Sequence, residues 1–252
     1  NPERPDIMWQ FAEAVAGMGE ACRALDVPIT GGNVSLYNET DGQAVLPTPV
    51  VGVVGLLDRA DHVVRRTLQQ AGDAVVLVGE SWAELGGSEY LKVMHGLVRG
   101  RPPRLDLDRE RALQRFLVDA ASKRLLRSAH DCAEGGVAVA LAESCFDSGL
   151  GVSVELEPAK ELEDDRFCDV ATLFGESASR VVVSTSSPDE LLALAAACGV
   201  PACRLGVVGG STITMAIRGR VVIDESLAAA ETTWGSAIET LVRSEEHTSE
   251  LQ

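Results

Sequence analysis

Short apolar runs alternate with longer amphipathic segments along most of the chain from Ala74 onward. Residues 74–78 are continuously apolar, as expected for a buried strand, whereas the apolar residues of 108–127 recur at helical spacing. Because neither element can bury its apolar face alone, the alternation predicts a layered fold of the α/β (α+β) class. The other predicted strands are 128–131, 151–156, 181–184, 204–208, 212–217 and 221–223, and the other predicted helices are 137–146 and 191–198.

The sequence before this alternation has a different pattern. Apolar residues within 7–25 recur every three or four positions, which predicts a helix that Asp6 caps and that packs on a sheet. Residues 27–29 and 50–54 are predicted strands, and the continuous apolarity of 50–54 indicates a strand covered on both faces. A turn at 71–73 marks a predicted domain boundary.

Residues 30–39 form a predicted loop with unusual composition. Adjacent Gly31 and Gly32 permit positive φ and let backbone N–H groups approach a ligand where a Cβ would collide. Asn33 and Ser35 add an amide and a hydroxyl, which suit a hard cation or phosphate oxygens. The same residue types also form ordinary turns, so the residues alone leave both interpretations open.

Two further segments are candidates for ligand contact. Asp131 and Glu134 lie between a predicted strand and a helix, and they are suited either to binding a cation or to capping that helix. Residues 86–89 are suited either to presenting helix amides to an anion or simply to capping a helix. Ser187 is the predicted cap of the helix that includes residues 191–198.

Three ordered motifs resemble the phosphoribosylformylglycinamidine synthase family, whose synthetase subunit acts in purine biosynthesis. They are 31–39 followed by 47–52, 130–136, and 174–180. The similarity runs from residue 1 to about residue 242, and it covers only the later portion of that subunit.

The resemblance implies the fold of the aminoimidazole ribonucleotide synthetase superfamily. Residues 1–70 would be the end of an N-terminal-type domain that binds ATP and magnesium, and residues 71–242 a C-terminal-type α/β domain. The start of the chain has neither an initiator Met nor a signal pattern, which indicates a piece of a longer chain. Residues 243–252 lack apolar periodicity and resemble a translated sequencing-library adapter, so they are interpreted as a non-native tail.

The resemblance also implies a reaction. Enzymes of this family use ATP to convert the amide oxygen of formylglycinamide ribonucleotide into an iminophosphate, which ammonia from glutamine then displaces to give the amidine. Matched motif by motif, Gly32 would contact ATP through its backbone, Asn33 would ligate Mg²⁺ and Ser35 would bind the substrate. No catalytic residue is assigned here, and His130 is not given that role, because the catalytic histidines of such enzymes lie in the earlier half.

Partners and alternatives follow from the same resemblance. The implied partners are a glutaminase subunit, a small accessory subunit and the missing N-terminal half of the chain. Such synthetases have two duplicated halves, of which one cleft holds a nucleotide structurally. The candidates for that auxiliary nucleotide cleft are Asp131, Glu134, Glu176, Ser177 and Arg180. Two alternatives stay open: a nucleotide-binding scaffold without turnover, and a related aminoimidazole ribonucleotide synthetase, which residues 32–38 fit poorly.

Charge and composition exclude several other classes of function. A formal net charge of −16 repels polyanions, which argues against nucleic acid or an anionic membrane as a partner. The six cysteines include no Cys-x-x-Cys pair, which favours reduced thiols in a cytoplasmic protein. No Walker-type loop, dinucleotide-binding fingerprint, serine-hydrolase elbow or His-Glu-x-x-His motif is present.

Overall fold

The computed structural model describes residues 1–162 and 164–249, with the backbone alone from residue 243, and the chain divides into two compact units. The units are Asn1–Asp58 and Arg59–Gln252. The division precedes the predicted turn at 71–73 because the intervening residues hydrogen-bond to the second unit. Leu68 N donates to Ser144 O at 2.8 Å, for example.

The first unit begins with a long helix, α1 (Pro5–Leu25). Proline occupies its first turn, where a missing N–H costs nothing, so the helix starts before Asp6. The prediction that Asp6 caps the helix is therefore wrong: Arg4 is the N-cap residue and makes no side-chain cap bond. Asp26 ends the helix in the left-handed conformation, with φ 56°.

The rest of the first unit contains one small hairpin, β1 (Glu39–Thr40) and β2 (Gln43–Ala44). Asp41 and Gly42 both have positive φ, as the two central residues of a tight type I′ hairpin turn require. The strands predicted at 27–29 and 50–54 are wrong, since both segments are irregular and exposed. A strand needs a neighbour for its N–H and C=O groups, and the hairpin supplies the only strand pair described in this unit. The prediction that α1 packs on a sheet fails for the same reason, and no α1 residue is buried.

The second unit is a mixed sheet of seven strands with helices on both faces, which confirms the α/β (α+β) prediction. The strands are β3 (Ala74–Val78), β4 (Ser128–Asp131), β5 (Val152–Leu156), β6 (Val181–Thr185), β7 (Ala202–Val208), β8 (Thr212–Ile217) and β9 (Arg220–Ser226). Their order is β4-β6-β3-β7-β5-β8-β9, and only the β5–β8 pair is parallel. The helices are α2 (Glu89–His95), α3 (Leu107–Ser122), α4 (Gly136–Cys145), α5 (Cys168–Phe174), α6 (Pro188–Ala197) and α7 (Leu227–Ser249).

Two hydrophobic cores lie on opposite faces of this sheet. Along β3, Val75 and Leu77 pack into one core with α4 and α5, whereas Val76 and Val78 pack into the other with α3 and α6. Side chains of a strand alternate between faces, so the continuously apolar strand β3 is buried on both sides, as the sequence predicted. Among the described residues, no helix has the length and apolarity that crossing a bilayer requires.

Helix ends differ from prediction in several places. α3 ends at Ser122 and not at residue 127, because Arg124 turns into the left-handed region and Leu125 N bonds back to Ala120 O. Ser187 precedes α6 but makes no side-chain cap bond, so its predicted capping role is wrong; its own N–H donates to Thr185 Oγ1 at 3.0 Å.

The final helix, α7, extends past residue 243, where the predicted tail begins. Its backbone is helical through Ser249, so the helix includes the first part of the segment interpreted as a tail. Helix propagation from an existing end is inexpensive, which accounts for the continuation. Residues 250–252 of the predicted tail lie outside the described residues.

Candidate functional site

The pairing of the strands gathers four loops of the second unit at one edge of its sheet, and two of these loops carry sequence motifs. Strands β3, β4 and β5 run in the same direction, and β6 runs opposite to them. Their connections therefore meet where β3, β4 and β5 end and where β6 begins. We call this the motif edge, and it comprises residues 79–88, 132–135, 157–160 and 175–180.

Arg180 lies at the centre of the motif edge and is only 2% exposed. Its guanidinium donates hydrogen bonds to Ser177 O at 2.9 Å, to Ser81 Oγ at 2.8 Å and to Gly175 O at 2.6 Å. Burial lowers the pKa of Arg180, while the nearby carboxylates of Glu84 and Glu176 act in the opposite direction. All three contacts serve the fold of this chain.

Ser177 is also buried and is used internally. Its hydroxyl accepts a hydrogen bond from Trp82 N at 3.0 Å and lies 3.2 Å from Trp82 O, to which it donates. The loop that follows β3 is thereby fixed to the loop that precedes β6, although the two residues are 95 positions apart.

Glu176 connects two helices at their beginnings. Its Oε1 atom accepts hydrogen bonds from Gly135 N at 2.8 Å, before α4, and from Glu89 N at 2.9 Å, at the start of α2. Ser88 caps α2 as well, because its Oγ accepts from Leu91 N at 3.3 Å. Between the two interpretations of residues 86–89, the structure thus shows a cap supplied by side chains of this chain.

Asp131 and Glu134 are exposed and do not cap α4, whose N-cap residue is Gly135 without a side-chain bond. Asp131 Oδ1 lies 3.3 Å from His130 Nδ1, and the other ring nitrogen of His130 lies 2.8 Å from Glu143 Oε2. In the part of the chain that the structure describes, no group of three His, Cys, Asp or Glu side chains could hold a metal ion.

Residues 30–38 of the first unit, which we call the signature loop, lie outside helices and strands and are exposed. Ser35 Oγ lies 3.3 Å from Asn38 Oδ1, and Asn38 Nδ2 donates to Ser35 O at 3.1 Å. Asn33 and Ser35 lie next to Gly32 on the same short exposed segment.

Gly31 and Gly32 do not adopt the positive φ that their residue type permits. A Cβ added to either glycine would meet no atom within 4 Å. Any need for glycine at these positions therefore concerns the approach of another molecule or segment, since the loop itself has room for a side chain.

Several residues of the motif edge carry no local signal in the sequence. Trp82 has the cationic groups of Arg104, Lys160 and Arg109 at 5.0, 5.4 and 5.8 Å from its ring centroid. Glu84 accepts from Arg104 N at 2.9 Å and from its Nε at 3.2 Å. These pairings join distant parts of the chain, so spacing rules could not have found them.

A cavity of about 210 Å³ adjoins the motif edge. Its walls include apolar side chains of the sheet, such as Leu77, Leu156 and Leu205, together with Glu80 and Lys160, which form an ion pair.

The six cysteines are all free, in agreement with the predicted thiols. Burial raises the pKa of Cys132 to about 11, so that thiol is neutral at neutral pH.

Comparison with known families gives two matches. Residues 70–217 match "AIR synthase related protein, C-terminal domain", and residues 1–57 match "AIR synthase related protein, N-terminal domain". Together they cover most of the chain in the order that the sequence predicted.

Among curated proteins, the chain is 46% identical over 244 residues to "Phosphoribosylformylglycinamidine synthase subunit PurL" of Moorella thermoacetica. That alignment covers 96% of this chain but 32% of the relative, so the chain spans about a third of that protein.

Among solved structures, similar folds include "T. maritima PurL complexed with FGAR" and "T. maritima PurL complexed with ATP". The first has a TM-score of 0.59 at 19% identity and covers 69% of this chain and 30% of that one. The second has a TM-score of 0.55 at 20% identity and covers 69% and 28%. Identities of this size support the fold alone.

Proposed function

Because the chain belongs to the AIR synthase related family, we propose that it is part of an ATP-dependent C–N ligase, the synthetase subunit of phosphoribosylformylglycinamidine synthase. The observation that carries the proposal is the 46% identity, across 96% of the chain, to a relative of that name. The whole subunit would convert formylglycinamide ribonucleotide and glutamine-derived ammonia into formylglycinamidine ribonucleotide.

The proposed reaction has two steps. The amide oxygen of the substrate attacks the terminal phosphorus of ATP, ADP leaves, the amide nitrogen loses its proton, and an iminophosphate forms. Ammonia then attacks the activated carbon, phosphate leaves, and the amidine results. Both steps require an anionic substrate and a triphosphate to be fixed close together, which is a task of positioning and charge neutralisation.

The signature loop supports a part in that positioning. Space beside Gly32 lets a phosphate approach its backbone N–H, and we assign Gly32 to ATP, Asn33 to Mg²⁺ and Ser35 to the ribonucleotide. An amide oxygen is an acceptable Mg²⁺ ligand, and Mg²⁺ usually keeps several waters and binds substrate phosphates beside one or two carboxylates. A single neutral side chain therefore fits as one member of the ligand set, with the remaining ligands supplied from outside this loop.

At the motif edge, we propose that Asp131 and Glu134 face the auxiliary nucleotide, because both are exposed and neither caps a helix. Glu176, Ser177 and Arg180 are candidates for the same cleft, but each already makes internal hydrogen bonds. Their contribution to a nucleotide would therefore be indirect, through the shape of the loops.

The proposed surroundings follow from the same assignment. The proposed partners are the rest of the synthetase chain, a glutaminase subunit that supplies ammonia and a small accessory subunit. The proposed location is the cytoplasm. The competing proposal, a nucleotide-binding scaffold without turnover, is favoured for this piece by itself, because it contains no assigned general base.

The test is amidine formation from ATP, ammonia and formylglycinamide ribonucleotide. The full-length subunit that carries this chain should turn over, and the 252-residue chain alone should not. Nucleotide binding without turnover by the full-length subunit would favour the scaffold. Turnover by the 252-residue chain would show that it contains the catalytic residues.

A further inference from the structure

The carboxylate of Glu176 occupies the place where a bound anion would be expected. One oxygen accepts hydrogen bonds from two backbone N–H groups, those of Gly135 and Glu89, at 2.8 and 2.9 Å. These donors are 41 and 87 residues away in sequence. Charge-assisted bonds of this kind are about twice as strong as neutral ones.

The charge of the half-buried Glu176 carboxylate also acts on the buried guanidinium of Arg180. Arg180, 2% exposed, makes its three hydrogen bonds to neutral oxygen atoms. Burial lowers its pKa, and the charges of Glu84 and Glu176 act against that lowering. Loss of the charge at Glu176 would leave the guanidinium less well compensated.

Backbone packing around the carboxylate leaves little room for adjustment. Glu176 N donates to Glu84 O at 3.0 Å, and Cys132 N donates to Arg180 O at 3.0 Å. A Cβ at Gly136 would lie 2.6 Å from Gly175 O, so the beginning of α4 and the loop before β6 are in direct backbone contact. Glu176 therefore lies where three segments of the motif edge meet.

From these contacts we infer that Glu176 is a positioning residue, an internal anion that sets the motif-edge loops by holding the beginnings of α2 and α4. It acts through those loops and does not touch substrate or nucleotide. The internal-anion role stands on the hydrogen bonds alone. Its consequence for turnover rests on the proposed function.

The test of the internal anion uses two variants of the 252-residue chain and added formate. Glu176→Ala removes the acceptor and the charge and leaves space for a small carboxylate, whereas Glu176→Gln keeps an acceptor oxygen without the charge. We expect the unfolding temperature of Glu176→Ala to fall the most. Sodium formate should restore part of the lost unfolding temperature of Glu176→Ala, relative to sodium chloride at equal ionic strength. It should not raise the unfolding temperature of Glu176→Gln.

A matched control is Glu190→Ala, which removes an exposed glutamate from the first turn of α6. Formate should not raise its unfolding temperature relative to chloride. The inference is overturned if formate affects Glu176→Ala and Glu190→Ala equally, or if both Glu176 variants unfold at the parental temperature.

The consequence for turnover is tested in the full-length subunit. Glu176→Ala should lower kcat/KM by about tenfold or more, the size expected for one charge-assisted hydrogen bond, and formate should recover part of the loss. Parental turnover by Glu176→Ala would overturn the positioning role. If the parent itself has no turnover, the proposed function fails, and the formate response of the unfolding temperature still decides the role of Glu176.

Discussion

The hydroxyl of Ser177 lies between the backbone N–H and C=O of Trp82, at 3.0 and 3.2 Å. Ser177 is 1% exposed, so these backbone groups have little access to water from that side. One small side chain thereby satisfies a donor and an acceptor on a loop that the sequence places 95 residues away.

Removal of that hydroxyl should destabilise the second unit. Ser177→Ala removes the acceptor of Trp82 N, whereas Trp82 O keeps the hydrogen bond from Glu84 N at 2.8 Å. We expect a loss of about 1–3 kcal/mol in the free energy of unfolding. The measurement is urea unfolding followed by tryptophan fluorescence. Ser122→Ala, at an exposed serine, should change stability by less than about 0.5 kcal/mol. Equal stability of the two variants would mean that the contact to Trp82 contributes nothing.

Two glycines with nearly identical φ angles allow left-handed strain to be separated from packing. Gly136 and Gly149 have φ of 67° and 68°. A Cβ at Gly136 would lie 2.6 Å from Gly175 O, whereas a Cβ at Gly149 would meet nothing within 4 Å. Gly149→Ala should cost about 1–2 kcal/mol from left-handed strain, and Gly136→Ala should cost roughly 1–3 kcal/mol more because backbone must move. Thermal unfolding of both variants measures the difference, and equal losses would contradict the close contact of α4 with the loop before β6.

Asp73 is a buried carboxylate whose Oδ2 has no hydrogen-bond partner among the residues that the structure describes. Burial raises its pKa above the ordinary value of 3.8 despite the opposing charge of Arg127. A raised folded-state pKa means that the folded state holds the proton more tightly than the unfolded state. The associated stability is present below about pH 3.8 and is lost as the pH rises through the folded-state pKa.

Asp73→Asn should therefore stabilise the chain at pH 7 by on the order of 1 kcal/mol, with no gain at pH 3. Urea unfolding at the two pH values measures this. Asp119→Asn, at an exposed position on α3, is the control and should show no such dependence. A gain for Asp73→Asn that persists at pH 3 would show that charge is not the cause.

The signature loop should affect kinetics and not stability. In the full-length subunit, Asn33→Ala should raise the Mg²⁺ or ATP requirement, and Ser35→Ala should raise the KM for the ribonucleotide, each by about ten- to a hundredfold in kcat/KM. Gly32→Ala should impair ATP use with an unchanged unfolding temperature, because the loop itself has space for a Cβ. Steady-state kinetics and thermal unfolding are the measurements, and normal constants for all three variants would remove the site assignment.

Truncation after Arg243 tests the interpretation of the C-terminal segment. Although the backbone of α7 continues to Ser249, the segment has no apolar periodicity with which to pack, so the unfolding temperature should not change. A clear drop in unfolding temperature on truncation would show that this segment contributes to the fold.

The sequence by itself determined the elements whose signal is local. The apolar run 74–78 and the alternation in 151–156 gave strands close to those observed, because burial on two faces or one leaves a direct trace in residue order. Motif resemblance likewise led to the family that the comparisons show.

Only the tertiary structure decided which partners bind the backbone groups of these strands and helix ends. Residues 50–54 have the composition of a buried strand, yet no described neighbour pairs with them, and composition cannot supply the missing hydrogen-bond partner. Asp131 and Glu134 stand where a cap for α4 would be sought, but the carboxylate at its beginning comes from Glu176. A carboxylate that binds backbone groups 41 and 87 residues away leaves no trace in local spacing, because sheet pairing alone brings those segments together.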